Sequence, residues 1–265
     1  MNKNKQLFRE ERLRLILEKV AKEKKVLVKD LARHFNVSPS SVRLDLRELE
    51  DRNLIVRTHG GGLLPSDTKN NLVLDKNFLE LREETNTTEK ESIGRAVLDL
   101  IYDGDSVMID GGSTTLHVVR HLGERRGLTV ITTSATLLPT LMAIPDAKVY
   151  LTGGLLHREF EDLIGEISLD SIGRFSPDKT IIGIDGISIK HGLSTTSPSI
   201  APLKRKMVAL SKQLIVVCDS SKLEKVCLLH VADFQQVHTI VTDIKAPPEI
   251  VEEIRKLGTN VILAG

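Results

Sequence analysis

Seven short, almost wholly apolar runs recur through residues 106–265, each closing on glycine, an acid or a hydroxyl residue: SVMID, LTVITT, KVYLTGG, KTIIGIDGI, QLIVVCDSSK, TIVTD and NVILAG. Segments of helical character separate them. A strand that reads apolar at nearly every position is buried on both faces, so the pattern predicts an α/β domain with a largely parallel sheet, from about residue 89 to 265. In such sheets ligands bind beyond the carboxyl ends of the strands. The polar residues that follow each run are therefore the place to look for chemistry.

The first of them, Asp110-Gly111-Gly112-Ser113-Thr114-Thr115, lies between a strand and a helix. Small residues let an anion approach the backbone, and amides at a helix N-terminus with hydroxyls beside them suit phosphate. The segment matches neither GxxxxGKS nor GxGxxG, which argues against nucleoside triphosphates and dinucleotides. Thr133 and Ser134, Gly153 and Gly154, Asp185 and Gly186, and Lys222 close four of the later runs. Each group read alone is also compatible with a plain turn. Together they suit a small phosphorylated polyol, with Lys222 neutralising phosphate and Asp185 accepting from sugar hydroxyls.

The amino-terminal quarter has a different grammar. Leu13, Ile16, Leu17 and Val20 fall at helical spacing, as do Val28, Leu31, Ala32 and Phe35, with Asn36-Val37 as a turn. Ser38 and Pro39 then open a third helix whose Val42, Leu46 and Leu49 share one face. Ser40, Ser41, Arg43, Leu44 and Arg47 are left pointing outward. Next come a strand at Leu54-Ile55-Val56, a turn from Thr58 to Gly62 and a return at Leu63-Leu64, so Arg57 and His59 sit where a wing meets phosphate. Three helices and a glycine-tipped hairpin predict a winged helix-turn-helix, with the third helix in the major groove of duplex DNA. Ser38, Ser40, Ser41, Arg43, Leu44, Arg47, Arg57 and His59 are the candidate DNA contacts.

Charge follows the same division. Residues 1–66 hold 15 Lys and Arg against 9 Asp and Glu, whereas residues 67–265 hold 22 against 27, an asymmetry the net +1 of the chain conceals. A basic head supplies sequence-independent attraction to phosphate. The organisation predicted is a DNA-binding domain at 1–66, a polar linker at 67–88 and an α/β domain at 89–265. Aromatic residues make up 3% of the chain and Trp is absent, which leaves few platforms for stacking single strands. Cys218 and Cys227 form no CxxC pair and the eight histidines form no metal-binding pattern, so neither a metal nor a disulfide is expected. No apolar run approaches the ~18 residues that span a bilayer, and the polar N-terminus is unlike a signal peptide, so a cytoplasmic location with no membrane contact is expected.

The two halves together resemble the DeoR family of bacterial transcriptional regulators over nearly the whole chain. SPSSVRLDLRELE resembles the family's recognition helix, with Leu44 standing where a second basic residue is usual, and RTHGG at 57–61 resembles its wing. DGGSTT, TGG, GIDGI, LSTTS and DSSK resemble, in order, its effector domain, which is similar to ribose-5-phosphate isomerase. The resemblance implies a sugar-phosphate sensor in which Gly112, Ser113, Thr114, Thr115 and Lys222 hold phosphate while Asp185 and Gly186 line the sugar site. Near the segment KRKM the chain has Ser199, Ile200 and Pro202 where the family usually has an acid.

The reading predicts a repressor of a carbohydrate-utilisation operon that acts as a homodimer or homotetramer on repeated half-sites, with no cofactor and no catalytic residue. The linker would couple effector to operator. A sugar-phosphate isomerase-like enzyme with an accessory DNA-binding domain is the alternative. It would need a base near the reacting carbons, for which Asp185 is the strong candidate and His157 or Glu159 weaker ones. A DNA-binding protein whose α/β half serves only for assembly is a third possibility.

Overall fold

The computed structural model describes residues 12–13, 15–17, 19–20, 25–51, 55–58, 60–63, 82–83, 85–158 and 160–265. His59, Glu159 and most of the expected linker lie outside them. The chain divides into two compact units, Met1–Phe78 and Leu79–Gly265. Among the described residues no helix is long and apolar enough to cross a membrane.

In the first unit the described residues between 12 and 20 are helical and bury Leu13, Ile16, Leu17 and Val20. They are followed by β1 (Lys25–Leu27), α1 (Val28–Phe35), α2 (Pro39–Asp51), β2 (Val56–Thr58) and β3 (Gly61–Leu63). Helix α1 ends because Asn36 adopts a left-handed conformation, φ 53°, and its N–H turns back to the carbonyls of Ala32 and Arg33. Helix α2 begins where Ser38 Oγ accepts the Ser41 N–H at 3.1 Å, an N-cap that satisfies one otherwise orphaned donor. Val42, Leu46 and Leu49 are fully enclosed in a core shared with Leu13, Ile16 and Leu31.

The wing differs from the expected one. Its sheet has three antiparallel strands in the order β1-β3-β2, and β1, which the sequence reading did not pick out, is one of them. Gly61 and Gly62, read as turn residues, are in β3, paired with β1 on one side and β2 on the other. A Cβ at Gly61 would lie 1.8 Å from the Val26 carbonyl oxygen, so only glycine fits there.

The second unit holds α3 (Thr87–Leu98), β4 (Ser106–Ile109), α4 (Ser113–Leu122), β5 (Thr129–Thr132), α5 (Leu138–Met142) and β6 (Lys148–Leu151). A hairpin follows, β7 (Leu155–His157) and β8 (Asp162–Ile164), then α6 (Glu166–Ile172) and β9 (Lys179–Gly183). The chain continues through β10 (Gly186–Ser188), β11 (Gly192–Thr195), α7 (Ala201–Leu210), β12 (Leu214–Val217) and β13 (Leu229–Ala232). It ends with β14 (Thr239–Asp243), α8 (Pro248–Lys256) and β15 (Asn260–Ala264). Seven strands form one sheet in the order β15-β14-β12-β9-β4-β5-β6, and every pairing is parallel.

Successive side chains of a strand point to opposite faces, and the cores follow that rule. Val107 and Ile109 pack with Val130, Ile181 and Val217 on one face, while Met108 packs with Ile131, Ile182 and Val216 on the other. Two separate apolar layers explain the near-continuous runs in the sequence. Strand β6 is the exception, since it is an edge with Tyr150 and Leu151 exposed. Two additions escaped the sequence reading, an antiparallel sheet of β10, β11 and β13 and the hairpin β7–β8.

Candidate functional site

Strand β4 is followed by β5 on one side, whereas β9 joins it on the other, so the sheet order reverses between β4 and β9. At such a switch point the connections leave in opposite directions and open a crevice outside the strand ends. Asp110 follows β4 and Asp185 follows β9, so the chain carries carboxylates at both lips.

Asp110 acts as a brace. Its side chain is buried; Oδ1 accepts the Gly183 N–H at 3.0 Å and Oδ2 accepts from the Lys204 ammonium, which also donates to the Gly183 carbonyl at 3.0 Å. Burial pushes the Asp110 carboxyl up from its ordinary value, and the Lys204 charge pulls against that. The neighbouring strand ends are thus tied together from inside.

Helix α4 starts on the same loop. Gly112 is its N-cap at φ 153°, and no side chain caps the helix there. The Thr115 hydroxyl donates to the Gly112 carbonyl at 2.9 Å, which pins the first turn. Ser113 and Thr115 are buried while Gly112 and Thr114 are partly open, so the helix presents its N-terminus toward the strand ends.

Asp185 is heavily bonded. One oxygen accepts from the Arg82 guanidinium; the other accepts from Thr195 Oγ1 at 2.7 Å, Thr196 N at 3.2 Å and Thr196 Oγ1 at 3.3 Å. Burial opposes ionisation, yet the Arg82 charge and the Thr195 hydroxyl outweigh it and hold the carboxyl well below the usual range. Asp219, which closes β12, accepts from Ser221 N and Asn86 Nδ2, both at 3.0 Å. Lys90 of α3 donates to the carbonyls of Arg82 and Thr85, and burial lowers its ammonium to about 8. Arg82 and Asn86, read from sequence as linker, are therefore fastened to the sheet ends.

Lys222 is half-buried, and its ammonium forms no hydrogen bond or ion pair among the described residues. Burial and the nearby Arg82 charge push it down from its ordinary value, with Asp219 and Asp185 acting in the other direction. Thr133 and Ser134 close β5 and are buried. Gly186 is in β10, where a Cβ would lie 2.6 Å from the Lys225 carbonyl oxygen. Gly153 and Gly154 stand apart from this group, beyond edge strand β6, where they turn the chain into the β7–β8 hairpin.

Sequence reasoning missed Lys204, Arg82, Asn86 and Asp162. A signal existed for the first, because Lys204 falls on the buried stripe of α7 with Ala201, Met207 and Val208, and a lysine so placed needs an acid. The others had none, since their partners are far away in sequence.

In the first unit, Ser38, Ser40, Arg43, Leu44 and Arg47 are exposed along α2 and Ser41 is half-exposed, while Arg57 is in β2 opposite Gly62. Residues 12–68 match the DeoR-like helix-turn-helix domain and residues 85–244 the DeoR C-terminal sensor domain. The chain belongs to the DeoR family of transcriptional regulators. It is similar to the glycerol-3-phosphate regulon repressor of Escherichia coli (strain K12), with 34% identity covering 89% of this chain and 90% of that one. The HTH-type transcriptional repressor GlcR of Bacillus subtilis (strain 168) is 33% identical, with 89% of each chain covered. The L-fucose operon activator of Haemophilus influenzae is 30% identical over 89% of this chain and 92% of its own. Ribose 5-phosphate isomerase A from Methanocaldococcus jannaschii aligns at a TM-score of 0.39 with 18% identity, covering 52% of this chain and 55% of that one. The DeoR-family chain is a DNA-binding regulator, and its relatives are named as regulators rather than enzymes.

Proposed function

We propose that this DeoR-family protein represses a carbohydrate-utilisation operon and that a phosphorylated sugar, bound at the β4–β9 switch point, controls its affinity for the operator. The observation that carries the reading is Lys222, a half-buried cation without an ion pair among the described residues, at the carboxyl edge of the sheet that also holds the N-terminus of α4. Gly112, Ser113, Thr114, Thr115 and Lys222 would hold phosphate, and Asp110 would keep their loop in place.

The domain limits proposed are 1–66 for the DNA-binding head, 67–88 for the linker and 89–265 for the sensor. Asp185 and Asp219 hold Arg82 and Asn86 at the end of that linker, so a ligand that drew Arg82 away would alter the segment leading to the head. A homo-oligomer is proposed to read paired half-sites, and Tyr150, Leu151, Leu155, Leu156 and Ile167, all exposed, offer apolar surface for assembly.

A thermal-shift screen of phosphorylated pentoses, hexoses, hexitols and amino sugars, with unphosphorylated partners as controls, tests the reading. Stabilisation by a phosphorylated member that disappears in Lys222→Ala supports it. A flat response across the panel would favour an α/β half that serves assembly alone.

A further inference from the structure

Asp162 belongs to no part of the phosphate site, yet the β7–β8 hairpin lays it across the loop that leads into α4. The hairpin is fastened to the end of β5: Leu163 N donates to the Thr133 carbonyl at 2.7 Å, and Ser134 and Asp162 form an antiparallel bridge. The Asp162 side chain is 4% exposed. It rests on Gly111 so closely that a Cβ there would lie 2.3 Å from Oδ1 and 2.6 Å from Oδ2.

The carboxylate is poorly satisfied for so enclosed a group. Thr133 Oγ1 donates to Oδ1 across a long 3.3 Å, and the Ser134 hydroxyl faces the same carboxylate. Lys204, the nearby cation, is already bonded to Asp110. Ser134 Oγ, fully enclosed, makes no hydrogen bond of ordinary geometry, and it lies near enough to this carboxylate to favour its charged form. Buried polar atoms normally find partners, because leaving one unmade costs about 1–3 kcal/mol. The Ser134 hydroxyl at the end of β5 and the Asp162 carboxylate of β8 meet next to the switch point.

We propose that Asp162, seconded by Ser134, binds hydroxyl groups of the effector and so determines which sugar phosphate the protein accepts. A hydroxyl donates to Oδ2 while its oxygen accepts from Ser134. Phosphate is held by Gly112, Ser113, Thr114, Thr115 and Lys222, while the Asp162 carboxylate beside Gly111 favours a hydroxyl donor over an anionic group at its own position, so the two ends of the ligand are told apart. This assignment rests on the effector reading above and adds its hydroxyl-recognising end.

Isothermal titration of the full chain with inorganic phosphate and with a panel of hexose 6-phosphates, pentose 5-phosphates and hexitol phosphates tests the assignment. The quantity read is the affinity of the best sugar phosphate relative to inorganic phosphate. Asp162→Asn should cut that ratio about tenfold without weakening inorganic phosphate, and Ser134→Ala, a milder change, should cut it several-fold. Both variants keeping the wild-type ratio would overturn the role of Asp162 alone. A wild-type protein that binds no sugar phosphate better than inorganic phosphate would overturn the effector reading together with this one.

Discussion

Arg12 grips Asp45 with two nitrogens, Nε donating to Oδ2 at 2.6 Å and Nη2 to Oδ1 at 3.1 Å, although Asp45 is on α2 with its carboxylate enclosed. The pair joins the first helical segment to the helix that carries Arg43 and Arg47. A bidentate clasp fixes direction as well as distance, so it holds the angle at which α2 leaves the head. Removing one partner strands the other. Asp45→Ala should destabilise the head by about 3 kcal/mol, and joint replacement of Arg12 by Met and Asp45 by Leu should recover most of it. Urea unfolding followed by circular dichroism decides the matter, and equal stability for Asp45→Ala and wild type would contradict it.

Arg43 is exposed on α2 and makes no hydrogen bond or ion pair among the described residues, which leaves its guanidinium available to a base edge. Arg43→Ala should cost about 1–3 kcal/mol of operator affinity and relax preference at one base position. Fluorescence anisotropy on operator variants reads both effects, and unchanged selectivity would mean a different register for the helix.

Gly61 is set by contact with the Val26 carbonyl. Gly61→Ala should prise β3 from β1 and weaken operator binding while the melting of the second unit stays put. A variant that binds operator normally would show that the wing tolerates the displacement.

Lys204 neutralises Asp110 in a site closed to water. Lys204→Met alone should destabilise the sensor by about 3–5 kcal/mol, since it leaves a buried carboxylate without its cation. Adding Asp110→Asn should restore part of that loss, a coupling that a double-mutant cycle in denaturant measures directly.

Burial, together with the Asp110 charge, pushes the Asp162 carboxyl up to about 7 from an ordinary 3.8. The folded chain then binds this proton more tightly than the unfolded one, so stability is highest below the ordinary value and falls as pH rises through the window from about 4 to 7. Asp162→Asn removes the ionisation. It should flatten the pH profile and leave the protein more stable than wild type at pH 8, by roughly 2–4 kcal/mol at most. Melting curves from pH 5 to 8 that run parallel for the two proteins would refute this.

The parallel sheet was legible because both of its faces are covered, which forces Val107 to Ile109 and Ile181 to Ile182 to be apolar without alternation. Helix α2 was legible because its cap, its first-turn proline and its apolar stripe agree. The wing was misjudged by several residues, since glycine signals a turn as readily as it signals a strand pressed against another backbone, and Gly61 does the latter. Strand β6 reads apolar like its neighbours yet is an edge, because hydrophobicity records composition and not position in the sheet order. The strand-end residues were findable one by one. Their partners Arg82, Asp162 and Lys204 were not, as each is set by a contact spanning 29 or more residues of chain.

The Lys204–Asp110–Gly183 brace also bears on how such a protein can be re-engineered. It anchors the floor of the crevice to the sheet core, whereas Asp162 arrives on a short hairpin and Arg82 on a surface segment. Under the proposed effector reading, ligand choice resides in two exchangeable pieces laid over a braced base. Grafting residues 153–164 and 82–86 from a relative onto this chain is therefore a route to a transcription switch tuned to a different metabolite, with the scaffold left as it is.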